Sequence, residues 1–268
     1  FGSSHFGSRL RIGGCCVPVA FMTQRWLPAS ITAGLRRTLS AHARKRIVRG
    51  VVFDMDGTLT APNLDLAGMY RRCGVDPKLD LLAEVAKMAP VERARAEAVI
   101  EELEEEGRRA LALAPGAFEL AQWLHARRLP AAVVTKNTQA TARLMAESHW
   151  APLLPGLAPF DPVISRDSLP ALPQKPDPAP LLHISELWGV GAGELLMVGD
   201  SLRDDVACGL RAGTATALVD PGRRRQGASA GRAALKEELR PDVVVASLAD
   251  LPAVLDARFD FPSPGELP

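Results

Sequence analysis

The chain has 268 residues, 47% of them hydrophobic and 24% charged, with a net charge of +1 at pH 7. That length suits one sizeable α/β domain with a small accessory module. No stretch approaches the roughly 18 uncharged apolar residues of a membrane-spanning helix, so a membrane-spanning reading is excluded.

The near-neutral total hides an asymmetry. Residues 1–50 carry eight Arg, one Lys and no Asp or Glu, leaving 23 basic and 31 acidic residues in 51–268. An acid-free segment rich in Arg, Ser, Thr and Ala, with no clean apolar core for a secretory signal, reads as an organellar transit peptide for mitochondrion or chloroplast. A disordered basic arm on a cytoplasmic protein is the alternative. The chain opens on Phe1, so this part reads as a fragment or an unprocessed translation, with Met22 a candidate start. Residues 1–45 are therefore set aside as a basic targeting or disordered segment. The basic charge stops where the folded part begins, which argues against a nucleic-acid partner. Cys15, Cys16, Cys73 and Cys208 show neither metal-ligand spacing nor a disulfide framework. No feature specifies an oligomeric state.

From Ile47 the chain alternates. Apolar runs at Ile47–Phe53, Pro130–Thr135, Glu194–Val198, Thr214–Val219 and Asp242–Ala246 read as buried strands. Helical patterns at 116–128, 138–148, 178–188, 203–212 and 248–256 lie between and after them. This order predicts a mostly parallel sheet with helices on both faces. Residues 61–114 interrupt it with a helical insert whose one long run, Val91–Leu113, has an apolar stripe at Ala94, Ala98, Val99 and Leu103. The acids of Glu101–Glu106 read as a solvated helix face. An insert leaving just after the first strand sits over the carboxyl end of the sheet, where open α/β sheets bind ligands. Residues 221–241 read as a basic, Gly-rich loop leading into a short helix, and 259–268 as an irregular tail.

The chemistry gathers at the strand ends. Asp54 and Asp56, in FDMDGTLT, are two carboxylates two residues apart before a glycine turn. Their mutual repulsion calls for a cation, and a divalent ion with oxygen ligands such as Mg2+ meets it. Gly57 frees the backbone to turn closely around a phosphate. Taken alone, the pair fits equally well an Asx-type turn. Thr135, in VVTKN, closes the second strand, with Lys136 and Asn137 beside it. Lys175, in PQKPDPAP, stands on a rigid loop before a helix, where a cation balances a nucleophile and a phosphoryl group. MVGDSLRDD brings Asp200, Asp204 and Asp205 to the end of a third strand.

This set of DMDGT, Thr135, Lys175 and GDSLRDD resembles the four motifs of the haloacid dehalogenase-like (HAD) superfamily of phosphohydrolases. The resemblance covers residues 47–256 and is nearest to plant and algal subfamily I members of the phosphoglycolate-phosphatase type. It implies a Rossmann-like three-layer α/β sandwich, with residues 46–60 and 115–258 as the core and 61–114 as a small helical cap. It implies that Asp54 is the nucleophile that becomes the aspartyl-phosphate. Asp56 would serve as general acid and base and offer its backbone carbonyl to the metal. Gly57, Thr135, Lys136, Asn137 and Lys175 would hold the phosphate. Asp54, Asp56, Asp200 and a second acid of the last motif would ligate Mg2+. Counting back from the Ala212–Gly213 helix end favours Asp205 for that acid, while the shorter family spacing favours Asp204. The acid at Asp56 implies phosphate-ester chemistry rather than dehalogenation, acting on a small phosphorylated metabolite. A phosphomutase shares the same pair but needs a sugar-recognition pattern, which the short insert lacks. A non-catalytic interaction protein would have lost one of these positions, and all are filled.

Overall fold

The protein is described from a computed structural model, which covers residues 9–12, 15–18, 45–62, 65–168, 172–222 and 239–263. The chain forms two units, Phe1–Lys45 and Arg46–Pro268. In the first, β1 (Arg9–Ile12) and β2 (Cys15–Pro18) pair antiparallel; the rest of the segment set aside above lies outside the described residues.

In the second unit, short β-branched and aliphatic runs are buried on both faces, as the strands of a covered parallel sheet must be. β4 (Gly50–Phe53), β5 (Ala131–Val134), β6 (Val163–Ile164), β7 (Leu195–Gly199), β8 (Ala215–Val219) and β9 (Val243–Val245) form one sheet in the order β6-β5-β4-β7-β8-β9. Every pairing in it is parallel. Alternate side chains serve opposite layers. Val51, Phe53, Leu196 and Val198 pack on one side with α4 (Ala117–Arg127), α5 (Gln139–Arg143, running on as a π-helical segment Leu144–Trp150) and α8 (Leu251–Arg258). Val52, Leu195 and Met197 pack on the other with α6 (Ala179–Trp188) and α7 (Ala207–Ala212). This is the expected three-layer α/β sandwich.

The chain leaves the sheet after Thr60 and returns at Leu113, and these two crossings bond to each other. The Ala61 N–H donates to Ala112 O and the Ala114 N–H to Leu59 O, each at 2.9 Å. Between them stand three helices, α1 (Leu66–Cys73), α2 (Leu81–Ala86) and α3 (Pro90–Arg109). Asp65 and Asp80 cap the first two through the N–H groups of Gly68 and Ala83. Pro90 opens the third, where its missing N–H costs nothing. Their shared core is Met69, Val75, Leu81, Val85, Ala96, Ile100 and Leu103. So small a core leaves much of the cap's seating to its ties with the sheet domain.

Five expectations need correction. The insert holds three helices rather than one long run, and its last helix stops at Arg109 because Leu113 is committed to the neck pairing. The buried stripe of α3 runs through Ala96, Ile100, Leu103 and Gly107 with Val99 packed beside it, so Val99 and Leu103 of the expected stripe face the core while Ala94 and Ala98 are exposed. Within Glu101–Glu106, Glu104 is buried rather than solvated. The tail from residue 259 begins ordered: β10 (Phe259–Asp260) pairs in parallel with β3 (Arg46–Ile47), and Phe261 meets the Trp123 ring edge-on at 5.0 Å. Strand β6 extends the sheet where no strand was expected. Most of the 221–241 loop, with the helix expected there, lies outside the described residues. Among the described residues, no helix is long and apolar enough to cross a membrane.

Candidate active site

The carboxyl ends of β4, β5 and β7 converge beneath the cap neck. Asp54 follows β4 directly, and its N–H donates to Val198 O at 2.8 Å, which ties the loop to the neighbouring strand. Its buried carboxylate accepts a hydrogen bond from Lys175 Nζ at 2.5 Å through Oδ1. The same ammonium donates to Asp205 Oδ1 at 2.6 Å, and the Ser201 N–H donates to the other oxygen of Asp205 at 2.9 Å. Lys175 reaches across 121 positions of chain to do this and is itself buried.

Asp54, Asp200 and Asp205 each offer an oxygen within 4.8 Å of the others. One lysine cannot balance three carboxylates, and the imbalance shows at Asp54 and Asp200. Burial pushes the Asp54 carboxyl well above its ordinary value against the pull of Lys175, with the charges of Asp205 and Asp56 adding to the rise. Asp200 is pushed up to about 6 by burial and by the charge of Asp205. Burial works against the charge on Lys175, yet Asp205 and Asp54 outweigh it and hold the ammonium above its ordinary value. Three hard oxygen donors with excess negative charge fit Mg2+. The backbone is shaped for the cluster. Gly57 has a φ of +80°, and a β-carbon on it would stand 2.4 Å from Asp200 Oδ2. A β-carbon on Gly199 would stand 2.2 Å from Asp205.

Asp56 points elsewhere. Thr135 Oγ1 donates to it at 3.3 Å, and Asn137 Nδ2 lies 3.1 and 3.2 Å from its two oxygens. The amide of Asn137 is oriented by the Thr138 N–H, which donates to its Oδ1 at 2.7 Å. Burial raises the Asp56 carboxyl above its ordinary value despite the hydrogen bonds from Asn137 and Thr135. Its carboxylate is therefore not in the three-acid cluster, and a metal role for this residue rests on its backbone carbonyl alone.

Two expectations for the β5 loop change. The ammonium of Lys136 is spent on Asp80 of the cap, at 2.9 Å, and on Asp204, at 3.0 Å, rather than turned to a phosphate. Burial disfavours its charge, but these two acids overcome that and push it above its ordinary value. The side chain of Asn137 serves Asp56. Of the two neighbouring acids, Asp205, the one preferred from the count back from the helix end, lies in the cluster, and Asp204 faces Lys136. A π-helical turn, Leu202–Val206, makes room for both.

Sequence reasoning passed over Ser201, although it stands in the motif. It also passed over the part-buried pair Arg166–Glu104, whose partners lie 62 positions apart and carry no local signal.

A sequence profile of haloacid dehalogenase-like hydrolases matches residues 48–213. A haloacid dehalogenase-like hydrolase domain-containing protein of Arabidopsis thaliana is 34% identical over 83% of this chain and 89% of its own length. A phosphoglycolate phosphatase of Thiobacillus denitrificans is 42% identical over 39% of this chain and 43% of its own. Among solved structures, a HAD family hydrolase of Deinococcus radiodurans, crystallised with bound phosphate and sodium, superposes with a TM-score of 0.54. It is 19% identical and covers 79% of this chain and 97% of that one, a likeness of fold.

Proposed function

The chain belongs to the haloacid dehalogenase-like hydrolases, and from that premise we propose that it is a Mg2+-dependent phosphatase acting on a small organic phosphate monoester. The observation that carries the reading is the buried carboxylate of Asp54, held by Lys175 at 2.5 Å beside Asp200 and Asp205. A carboxylate fixed at a strand end and stripped of water is poised as a nucleophile.

Asp54 attacks phosphorus in line, forming an acyl-phosphate bond as the ester P–O bond breaks. Asp56 gives its proton to the departing oxygen. Its raised pKa favours the protonated form this step needs. Asp56, now a carboxylate, takes a proton from the water that attacks the aspartyl-phosphate. Inorganic phosphate leaves and Asp54 is regenerated. Lys175 keeps the Asp54 oxygen aimed and offsets charge on the phosphoryl group, and the Thr135 hydroxyl is near enough to Asp56 to serve both acid and phosphate. Mg2+, held by Asp54, Asp200 and Asp205 with the Asp56 backbone carbonyl, would supply positive charge against the phosphoryl oxygens. Phosphoglycolate, in the name of the Thiobacillus relative, is one member of the substrate class.

The test is phosphate release from a panel of phosphorylated metabolites, with Mg2+ and with chelator. Asp54→Asn should remove turnover by about a thousandfold or more while the thermal melt stays cooperative. Turnover that survives the substitution rules out Asp54 as the nucleophile.

A further inference from the structure

The cap is joined to the loop that orients Asp56 by an unbroken line of contacts. On α3, Glu104 is buried and takes both ends of the Arg166 guanidinium, with Nη2 to Oε2 at 2.8 Å and Nη1 to Oε1. Arg166 follows β6, and its backbone N–H donates to Asn137 O at 3.2 Å. Asn137 in turn donates through Nδ2 to both oxygens of Asp56. The two loops are knit further on: Asp167 Oδ1 accepts from the Gln139 N–H at 2.8 Å and from Ser165 Oγ at 2.7 Å. A shift of α3 relative to the sheet therefore pulls on the residue whose amide fixes the direction of Asp56.

We infer that Glu104 and Arg166 are positioning residues, which transmit the seating of the cap to the orientation of the general acid Asp56. The pair is more than an attachment point. A fork-to-fork ion pair has one geometry, and this one, with Glu104 buried and Arg166 half-buried, is partly desolvated and tolerates less displacement than a surface pair. Of the other ties of the cap, Arg108 Nε to Thr141 Oγ1 at 3.1 Å reaches α5, and Lys136 Nζ to Asp80 at 2.9 Å reaches the β5 loop through a single-point contact that Lys136 shares with Asp204 and that does not touch Asn137 or Asp56. Proton delivery to a leaving oxygen depends steeply on geometry, so a small rotation of Asp56 lowers the rate without loosening phosphate binding.

This inference rests on the phosphatase reading, and one comparison separates the two. The kcat/KM of wild type, Arg166→Lys, Arg166→Met and Glu104→Gln is measured with an alkyl phosphate, whose leaving oxygen needs a proton, and with p-nitrophenyl phosphate, whose leaving group departs without one. Arg166→Met and Glu104→Gln should lose about tenfold or more on the alkyl ester and about threefold or less on the aryl ester, with Arg166→Lys between wild type and Arg166→Met. Equal losses on both esters, at unchanged thermal stability, overturn the positioning role. Where Arg166→Met unfolds, Glu104→Gln, which keeps the shape and two hydrogen-bonding ends, decides the same question. A wild-type protein that cleaves neither ester overturns the phosphatase reading instead.

Discussion

Gly57 stands so close to Asp200 that any side chain at position 57 would displace the carboxylate: an added β-carbon would lie 2.4 Å from its Oδ2. The backbone there, at a φ of +80°, is also one that L side chains rarely adopt. Gly57→Ala should therefore act twice. Backbone strain should cost about 1–2 kcal/mol in chemical denaturation, and the shifted Asp200 should weaken Mg2+ binding about tenfold or more in titration calorimetry. A variant that binds Mg2+ like wild type would show that Asp200 is not held in place by this approach.

Lys175 is the buried counter-charge for Asp54 and Asp205. Lys175→Met leaves two carboxylates out of water with no counter-charge, a loss of about 3–5 kcal/mol in the metal-free protein. Because those carboxyls can escape the penalty by taking up protons, the deficit should shrink as pH falls. Denaturation curves at about pH 5 and about pH 7.5 measure this. A deficit that is the same at both values means the lysine stabilises by packing rather than by charge.

How much of this was visible in the chain beforehand follows from the range of each interaction. The central strands were legible because both faces are covered, so Val51–Phe53 and Leu195–Gly199 are unbroken apolar runs and Ala215–Val219 is broken only by Thr216. The residues at their ends were legible because chemistry in an open parallel sheet collects there. Strand β6 was not, since only Val163 and Ile164 pair and too few residues exist to show a period. Helices α1 and α2, of eight and six residues, are held by their aspartate caps and the small cap core. Their apolar residues are too few to announce a face. Glu104 looked like its acidic neighbours because only the folded chain brings Arg166 to it. Lys136 looked like a phosphate ligand because its two acids come from Asp80 and Asp204, 56 and 68 positions away.

The raised pKa of Asp200 would tie metal binding to pH. Its ordinary value is 3.8 and the fold moves it to about 6, so the folded state holds this proton more tightly than the unfolded chain does. The metal-free protein therefore loses stability as pH rises from about 4 to about 6, and carries the full penalty of the charge above that. Mg2+ binds the ionised form and removes the penalty. The rise in melting temperature on adding saturating Mg2+ should be large at about pH 7.5 and small at about pH 5. A shift independent of pH would mean that Asp200 is not a ligand.

Asp204 and Asp205 are neighbours with opposite environments, which makes them a sharp test of the site. The Ser201 carbonyl accepts from the N–H groups of both Asp205, at 3.0 Å, and Val206, at 3.1 Å. The wide turn that results sends successive side chains to different sides. Asp205 is 1% exposed, bonded to Lys175 and fitted against Gly199. Asp204 lies toward solvent with Lys136. Asp205→Asn removes one of the two charges that hold Lys175 and one donor of the acid cluster, so phosphate release should fall about a hundredfold or more, with Mg2+ affinity falling alongside. Asp204→Asn weakens only a half-exposed contact between two loops of the sheet domain, and its partner Lys136 keeps Asp80 of the cap. Such a pair contributes about 0.2–1 kcal/mol, and the expected change is within about fivefold in kcat/KM with Mg2+ affinity unmoved. If Asp204→Asn instead abolishes Mg2+ binding and Asp205→Asn keeps it, the shorter motif spacing is the right one, and the buried Lys175–Asp205 contact is a structural pair beside the true metal site.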